Sequence, residues 1–73
     1  MMDRMIIDAR GLSCPQPAML TRQAVEKLTS GSLEVLVDSV TSRDNVIRTA
    51  QKAGWRVQSL EESEASFRVV LQK

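Results

Sequence analysis

The sequence predicts a two-layer α/β sandwich of the α+β type, with the element order β-α-β-α-β-β. Two segments carry apolar residues at helical spacing, and a glycine follows each of them. A short apolar strand segment precedes each helical segment. The last part of the chain has two strand segments separated by a short polar turn, as in a β-hairpin. Two helices on one face of a four-stranded mixed sheet would bury all of these apolar sides.

The first helix is expected to join two parallel strands through a right-handed crossover. Both strand segments, RMIIDA (Arg4–Ala9) and LEVLVD (Leu33–Asp38), are short and rich in β-branched or apolar residues. Between them a helix is predicted from Pro15 to about Thr29, and Gly31 stands where a C-terminal cap glycine would sit. The predicted inward residues of the helix and of the second strand are Pro17, Leu20, Thr21, Ala24, Val25, Leu28, Leu33, Val35 and Val37. The residues predicted on the opposite side of the helix are Met19, Arg22, Gln23 and Glu26.

The second half is expected to contribute a helix and a hairpin. In TSRD, Thr41 is the predicted N-cap and Asp44 the partner of a variant capping box. The helix is predicted to run to about Ala53 and to end at Gly54. WRVQSLEE (55–62) and ASFRVVLQ (65–72) are the hairpin strands, and ESE is the predicted turn between them. The residues predicted to face inward here are Val46, Ala50, Ala53, Ala65, Phe67, Val69 and Leu71.

Size and charge limit the classes of function. The 73 residues predict one domain, 1–73, with a modest core and no deep substrate cavity. A net charge of +1 gives no support for direct binding of nucleic acid or of an anionic membrane. No stretch resembles a signal peptide or a transmembrane helix. One cysteine forms no internal disulfide, so the cytoplasm is the expected location.

Cys14 is the single cysteine, and Pro15 and Pro17 follow it closely. If Pro15 is the first helical residue, Cys14 is the N-cap, where free amides and the helix dipole favour a thiolate. Cysteines at helix N-termini have a pKa lowered from about 8.5 to as little as about 3.5–7.5. The alternative is that Cys14 is a small buried hydrophobic residue, the common state of a free cysteine. Spacing alone leaves the two interpretations about level.

Several chemistries are excluded by residue type. The chain has no histidine base for a Cys/His hydrolase, no second cysteine for a dithiol and too few ligands for zinc. Gly11 alone is too little for a phosphate-binding glycine loop. Neither a metal nor another cofactor is therefore expected. An activated Cys14 would instead carry an adduct such as a persulfide, with the acceptor supplied by a partner.

The segment DARGLSCPQP resembles the TusA/SirA-like family of small sulfur-carrier proteins. The shared pattern is D-x-x-G-L-x-C-P-x-P, formed here by Asp8, Gly11, Leu12, Cys14, Pro15 and Pro17. The resemblance covers essentially the whole chain and implies a sulfurtransferase-type carrier whose cysteine holds sulfane sulfur as a persulfide. It implies a desulfurase or rhodanese-like donor protein. The acceptor proteins it implies serve tRNA thiolation, molybdenum-cofactor maturation or sulfur oxidation.

The second half departs from the tRNA-thiolation type of this family. That type carries a Phe-Cys pair in the second helix and a histidine soon after, whereas this chain reads DNVIRTAQKAGW (44–55). The sequence is similar instead to the first domain of YedF-type proteins, which genome context links to selenium metabolism. Two alternatives to a sulfur carrier therefore stay open. One is a selenium carrier with the same site, and the other is a non-catalytic binding or regulatory domain with a structural cysteine.

Four further residues are candidates for a partner surface or for the surroundings of the thiol. Asp8 is either a proton acceptor for Cys14 or, as we favour, an acceptor for turn amides. Arg10 either helps to hold an anionic sulfur or is a solvated turn charge. Met19 and Arg22 lie opposite the predicted inward face of the first helix, where an adaptable methionine suits a partner surface.

Overall fold

Six elements follow one another in the predicted order β-α-β-α-β-β. They are seen in a computed structural model that describes residues 4–12, 16–28 and 31–73. The elements are β1 (Arg4–Asp8), α1 (Gln16–Lys27), β2 (Ser32–Val37), α2 (Val40–Lys52), β3 (Arg56–Ser63) and β4 (Ser66–Gln72). The predicted start of the first helix at Pro15 and its predicted end at Thr29 lie outside the described residues.

The strands form one mixed sheet in the order β1-β2-β4-β3. β1 is parallel to β2, with Met5 opposite Leu33, and β4 is antiparallel to both β2 and β3. The two helices contact each other, and both contact β2. The predicted two-layer sandwich, with its β3–β4 hairpin, is therefore confirmed.

The core lies between the helices and the two central strands. Its fully buried strand residues are Leu33, Val35, Val37, Val69 and Leu71. All six residues predicted on the inward face of α1 are buried or half-buried, and the four predicted opposite them are exposed. The helical and strand periodicities of the sequence thus identified the core faces correctly.

The start of α2 differs from the predicted one. Ser39, not Thr41, is the N-cap: its φ is −146° and its side-chain oxygen accepts a hydrogen bond from the Ser42 amide at 3.1 Å. Asp44 is paired with Arg43 instead of serving a capping box. The reason is that β2 ends at Val37, so the chain turns two residues earlier than the Thr41–Asp44 spacing predicted.

Two predicted turn features also differ. Gly31 lies four residues beyond the end of α1, and it exchanges backbone hydrogen bonds with Lys73 at 3.4 and 3.1 Å. It therefore leads into β2, while the predicted end of the first helix before it, at Thr29, lies outside the described residues. In the hairpin, Ser63 pairs with Ser66, so the turn is Glu64–Ala65 and Ala65 is exposed instead of facing inward.

The face of the sheet opposite the helices carries a buried carboxylate that the sequence did not predict. Glu34 is only 4% exposed, although it lies on the face of β2 away from the core residues Leu33 and Val35. Arg68 Nη2 of β4 donates to Glu34 Oε1 at 2.7 Å. A second, longer contact of 3.4 Å joins Arg68 Nη1 to Glu61 Oε1 on β3. This guanidinium therefore links three strands.

Arg68→Ala is expected to lower the free energy of unfolding by about 1–3 kcal/mol, because it removes a charge-assisted hydrogen bond to a buried carboxylate. Urea denaturation measures the change. Arg56→Ala is the matched control, since Arg56 is an exposed arginine of β3, and we expect a change within about 0.5 kcal/mol. Equal effects of the two substitutions would contradict a stabilising role for the Arg68 contact.

Candidate functional site

The candidate site lies at the edge of the sheet where β1 and β2 end. Because the two strands are parallel, both C-terminal ends point to this edge, and α2 begins directly beyond β2. The turn after β1 spans residues 9–12. The Gly11 amide donates a hydrogen bond of 2.7 Å to Asp38 Oδ2, in the loop after β2. The two loops are therefore joined at this edge.

The turn after β1 has a defined geometry. Ala9 is fully buried, and its amide donates to the Leu36 carbonyl at 2.8 Å. The Leu12 amide donates a hydrogen bond of 3.4 Å to the Ala9 carbonyl, which closes a four-residue turn. Gly11, at the third position, has a φ of +80°, the value that a type II turn requires there. A Cβ on Gly11 would meet nothing within 4 Å, so the backbone angle, not space, requires glycine.

Asp8 and Arg10 form a bidentate ion pair at the start of this turn. Arg10 Nε donates to Asp8 Oδ1 at 2.9 Å, and Arg10 Nη2 donates to Asp8 Oδ2 at 2.8 Å. The Arg10 amide donates to the same carboxylate at 3.2 Å. These hydrogen bonds lower the pKa of Asp8 from 3.8 to about 2, and the pair raises the pKa of Arg10.

This pairing favours one of the two interpretations of each residue. A carboxyl group with a pKa of about 2 is a weak base, so Asp8 is poorly suited to take a proton from a thiol near neutral pH. Its contact with the Arg10 amide is the turn-acceptor role that we favoured. The Arg10 side chain is about half exposed and its guanidinium is paired with Asp8, which agrees with a solvated turn charge.

The Asp8 pair gives a pH-dependent contribution to stability. Its folded pKa lies below its usual value, so its contribution is present above about pH 4 and is lost as the pH falls toward about 2. We expect the difference in unfolding free energy between the wild type and Asp8→Asn to be constant above about pH 5 and to shrink below about pH 4. Urea titrations at fixed ionic strength measure it. A difference that stays constant down to about pH 2 would rule out this coupling.

An apolar surface groove lies beside the turn. It is lined by Leu12, Gln16, Met19, Leu20 and Gln23, and we call it the Leu12–Met19 groove. Met19 is 54% exposed, as predicted for a residue opposite the core. Arg22 is also exposed, as predicted, and its Nε lies 3.6 Å from Glu26 Oε2 one turn later. Within α1, Pro17 is buried and its carbonyl accepts a hydrogen bond from Thr21 Oγ1 at 2.9 Å.

Cys14, the predicted sulfur-carrying residue, and Pro15 directly after it lie outside the described residues. The described residues that flank them in sequence are Leu12, which lines the groove, and Gln16, where α1 begins. Sequence reasoning did not single out Asp38. A signal was present in the sequence, because Asp38 directly follows β2, and β2 was predicted to be parallel to β1, the strand that precedes Cys14.

Residues 4–12, 16–28 and 31–73 contain neither a candidate metal site nor a candidate membrane-spanning helix. No three cysteine, aspartate or glutamate side chains in these ranges are grouped so that they could hold a metal ion. Neither helix there has the length and apolar character needed to cross a bilayer.

Comparison with known proteins identifies the class of protein. The model of the family described as sulfurtransferase TusA matches residues 5–73. The chain belongs to this family, and membership supports a role as a sulfur carrier. Such a role implies protein partners on either side of the relay.

Individual relatives agree with this assignment. A proposed sulfur carrier protein of Methanocaldococcus jannaschii is 38% identical over 68 residues, which cover 92% of this chain and 91% of that protein. The proposed sulfur carrier YedF of Escherichia coli is 32% identical over 68 residues, covering 92% and 88%. The crystal structure of a SirA-like protein from Desulfitobacterium hafniense superposes with a TM-score of 0.84 at 31% identity, covering 93% and 95%. The predicted resemblance to the TusA/SirA-like family and its YedF-type members is confirmed.

Proposed function

We propose that this protein carries sulfane sulfur as a persulfide on Cys14 and relays it from a donor protein to an acceptor protein. The observation that carries the proposal is the family match over residues 5–73, in a chain whose single cysteine stands in the C-P-x-P segment. No other side chain of the protein can form a persulfide, because Cys14 is the only thiol.

The chemistry needs one thiol and no redox cofactor. In the first step, the Cys14 thiolate attacks the outer sulfur of a persulfide on the donor. A new S–S bond forms on Cys14, the donor S–S bond breaks, and the electron pair leaves with the donor thiolate. In the second step, an acceptor nucleophile takes the outer sulfur and Cys14 leaves as the thiolate. Electrons balance in each step, and the protein returns to its starting state.

The surroundings of Cys14 in the sequence fit transfer between proteins. Gly11 and Leu12 form the end of the turn, Pro15 and Pro17 are proposed to shape the start of α1, and Leu12 continues into the Leu12–Met19 groove. Exposed methionine adapts to differently shaped partners, which suits a protein that must dock with both a donor and an acceptor. Arg22, one turn along the exposed side, is proposed to contribute a charge to the same docking surface.

Intact-mass measurement tests the proposal. The protein is incubated with a cysteine desulfurase and cysteine, and we expect a mass increase of one sulfur atom that a reductant removes. Protein whose thiol has first been alkylated is the control and should gain nothing. Absence of a gain in the untreated protein, together with a folded-state thiol that resists alkylation, would overturn the proposal in favour of a non-catalytic domain with a structural cysteine.

A further inference from the structure

The hydrogen bond between Gly11 and Asp38 joins two loops that are distant in sequence. The donor, the Gly11 amide, and the acceptor, Asp38 Oδ2, are 27 residues apart and 2.7 Å from each other. A short contact between an amide and an ionised carboxylate belongs to the stronger class of hydrogen bonds. Gly11 stands three residues before Cys14 in the sequence.

The position of Asp38 is itself held from both sides. Its preceding neighbour, Val37, is fully buried at the end of β2. Its following neighbour, Ser39, has extended backbone angles and caps α2 through the Ser42 amide. The exposed Asp38 side chain therefore extends from the junction of β2 and α2.

Four described hydrogen bonds involve the backbone of residues 9–12. Two of them join backbone atoms, from the Ala9 amide to Leu36 and from the Leu12 amide to Ala9. The third is donated by the Arg10 amide to the Asp8 carboxylate, and the fourth by the Gly11 amide to the Asp38 carboxylate. The nearby carboxylate of Asp8 is engaged with Arg10 and does not provide this contact. Loss of the carboxylate would leave the exposed Gly11 amide to water and would remove the link between the turn and the start of α2, so the turn would be held less firmly.

We propose that Asp38 is a positioning residue for sulfur transfer, because its carboxylate fixes the turn from which the chain continues to Cys14. This inference rests on the proposed function of Cys14 as the sulfur carrier. Sulfur transfer requires the attacking thiolate to approach a donor sulfur in a defined geometry, and small misplacements lower the rate of such steps. Asp38 would act through the backbone of the turn, by its contact with the Gly11 amide.

Two substitutions separate the hydrogen bond from the charge. Asp38→Asn removes the negative charge but retains a carbonyl oxygen that can accept from the Gly11 amide. Asp38→Ala removes both. Arg68→Ala is the control for stability, because it removes the contact to the buried Glu34 and leaves both Asp38 and the cap of α2 in place. Circular dichroism and urea denaturation establish that each variant is folded.

The rate of sulfur uptake from a desulfurase is the first measurement. We expect Asp38→Ala to be slower than Asp38→Asn by about three- to tenfold, and Asp38→Asn and Arg68→Ala to stay within about twofold of the wild type. Equal rates for Asp38→Ala and Asp38→Asn would overturn the inference. So would a loss in Arg68→Ala as large as that in Asp38→Ala, since the effect would then follow stability.

Two further measurements do not depend on sulfur uptake. The thiol pKa, taken from alkylation rates against pH, is expected to differ between the two uncharged variants because only one retains the turn. The Gly11 amide proton is expected to resonate upfield in Asp38→Ala but not in Asp38→Asn. If the wild type takes up no sulfur, the proposed function fails. Identical thiol pKa values and identical Gly11 signals in the two variants would then refute the positioning role of Asp38 without any measurement of sulfur uptake.

Discussion

Cys14→Ser is expected to reduce sulfur relay to the rate seen without the protein. A serine hydroxyl stays protonated near neutral pH and forms no persulfide, and the chain has no second cysteine to substitute for Cys14. The measurement follows radiolabelled sulfur from cysteine, through a desulfurase, to an acceptor protein. The loss should be complete, because both half-reactions pass through the same sulfur atom.

The comparison of Cys14→Ser with the wild type must distinguish loss of the sulfur-transfer reaction from loss of the folded state. Urea denaturation should give Cys14→Ser a stability close to that of the wild type, since the substitution exchanges atoms of similar size. Wild-type protein whose Cys14 thiol has been alkylated is an independent second test, and it should show the same loss of sulfur relay. A folded Cys14→Ser variant that still relays sulfur at a rate near the wild type would refute the role of Cys14.

Leu33→Ala is expected to lower the free energy of unfolding by about 2–5 kcal/mol. Leu33 is fully buried in the central strand β2, opposite Leu71 of β4 and Met5 of β1. Truncation removes buried methyl groups and leaves a cavity that the strands on either side cannot close. A chain of this length has a total stability on the order of 4–11 kcal/mol, so the change removes a large share of it.

Leu60→Ala is the matched control for this second prediction. Leu60 is also a strand leucine, but it lies on the edge strand β3 and is 45% exposed. We expect its loss to cost less than about 1 kcal/mol, because the cost scales with the apolar area removed from water. Urea denaturation of both variants measures the difference. Similar losses at the two positions would contradict the assignment of the core to the helix-facing side of β2.

Local periodicity explains why so much of the fold could be predicted. The alternation of Leu33, Val35 and Val37 identified a buried strand face, and the helical spacing from Pro17 to Leu28 identified the packed side of α1. Both patterns depend on residues a few positions apart. The choice of glycine at position 11 is local in the same way, because the turn there has a φ of +80°, which glycine adopts without strain.

Competition between neighbouring signals explains the misplaced cap. Ser39–Ser42 and Thr41–Asp44 both have the spacing of a helix N-cap and its partner, so sequence alone could not choose between them. The end of β2 at Val37 decided the choice. That end is set by pairing with β4, where Val37 lies opposite Phe67, a residue far along the chain.

The sequence by itself determined the order of elements, the core faces and the C-P-x-P segment that identifies the candidate thiol, because each depends on neighbouring residues. Only the tertiary structure showed that Asp38 holds Gly11 and that Arg68 holds the buried Glu34. These partners are 27 and 34 residues apart, and no periodicity of the chain relates them. Strand pairing brings them together, so their contacts exist only once the sheet has formed.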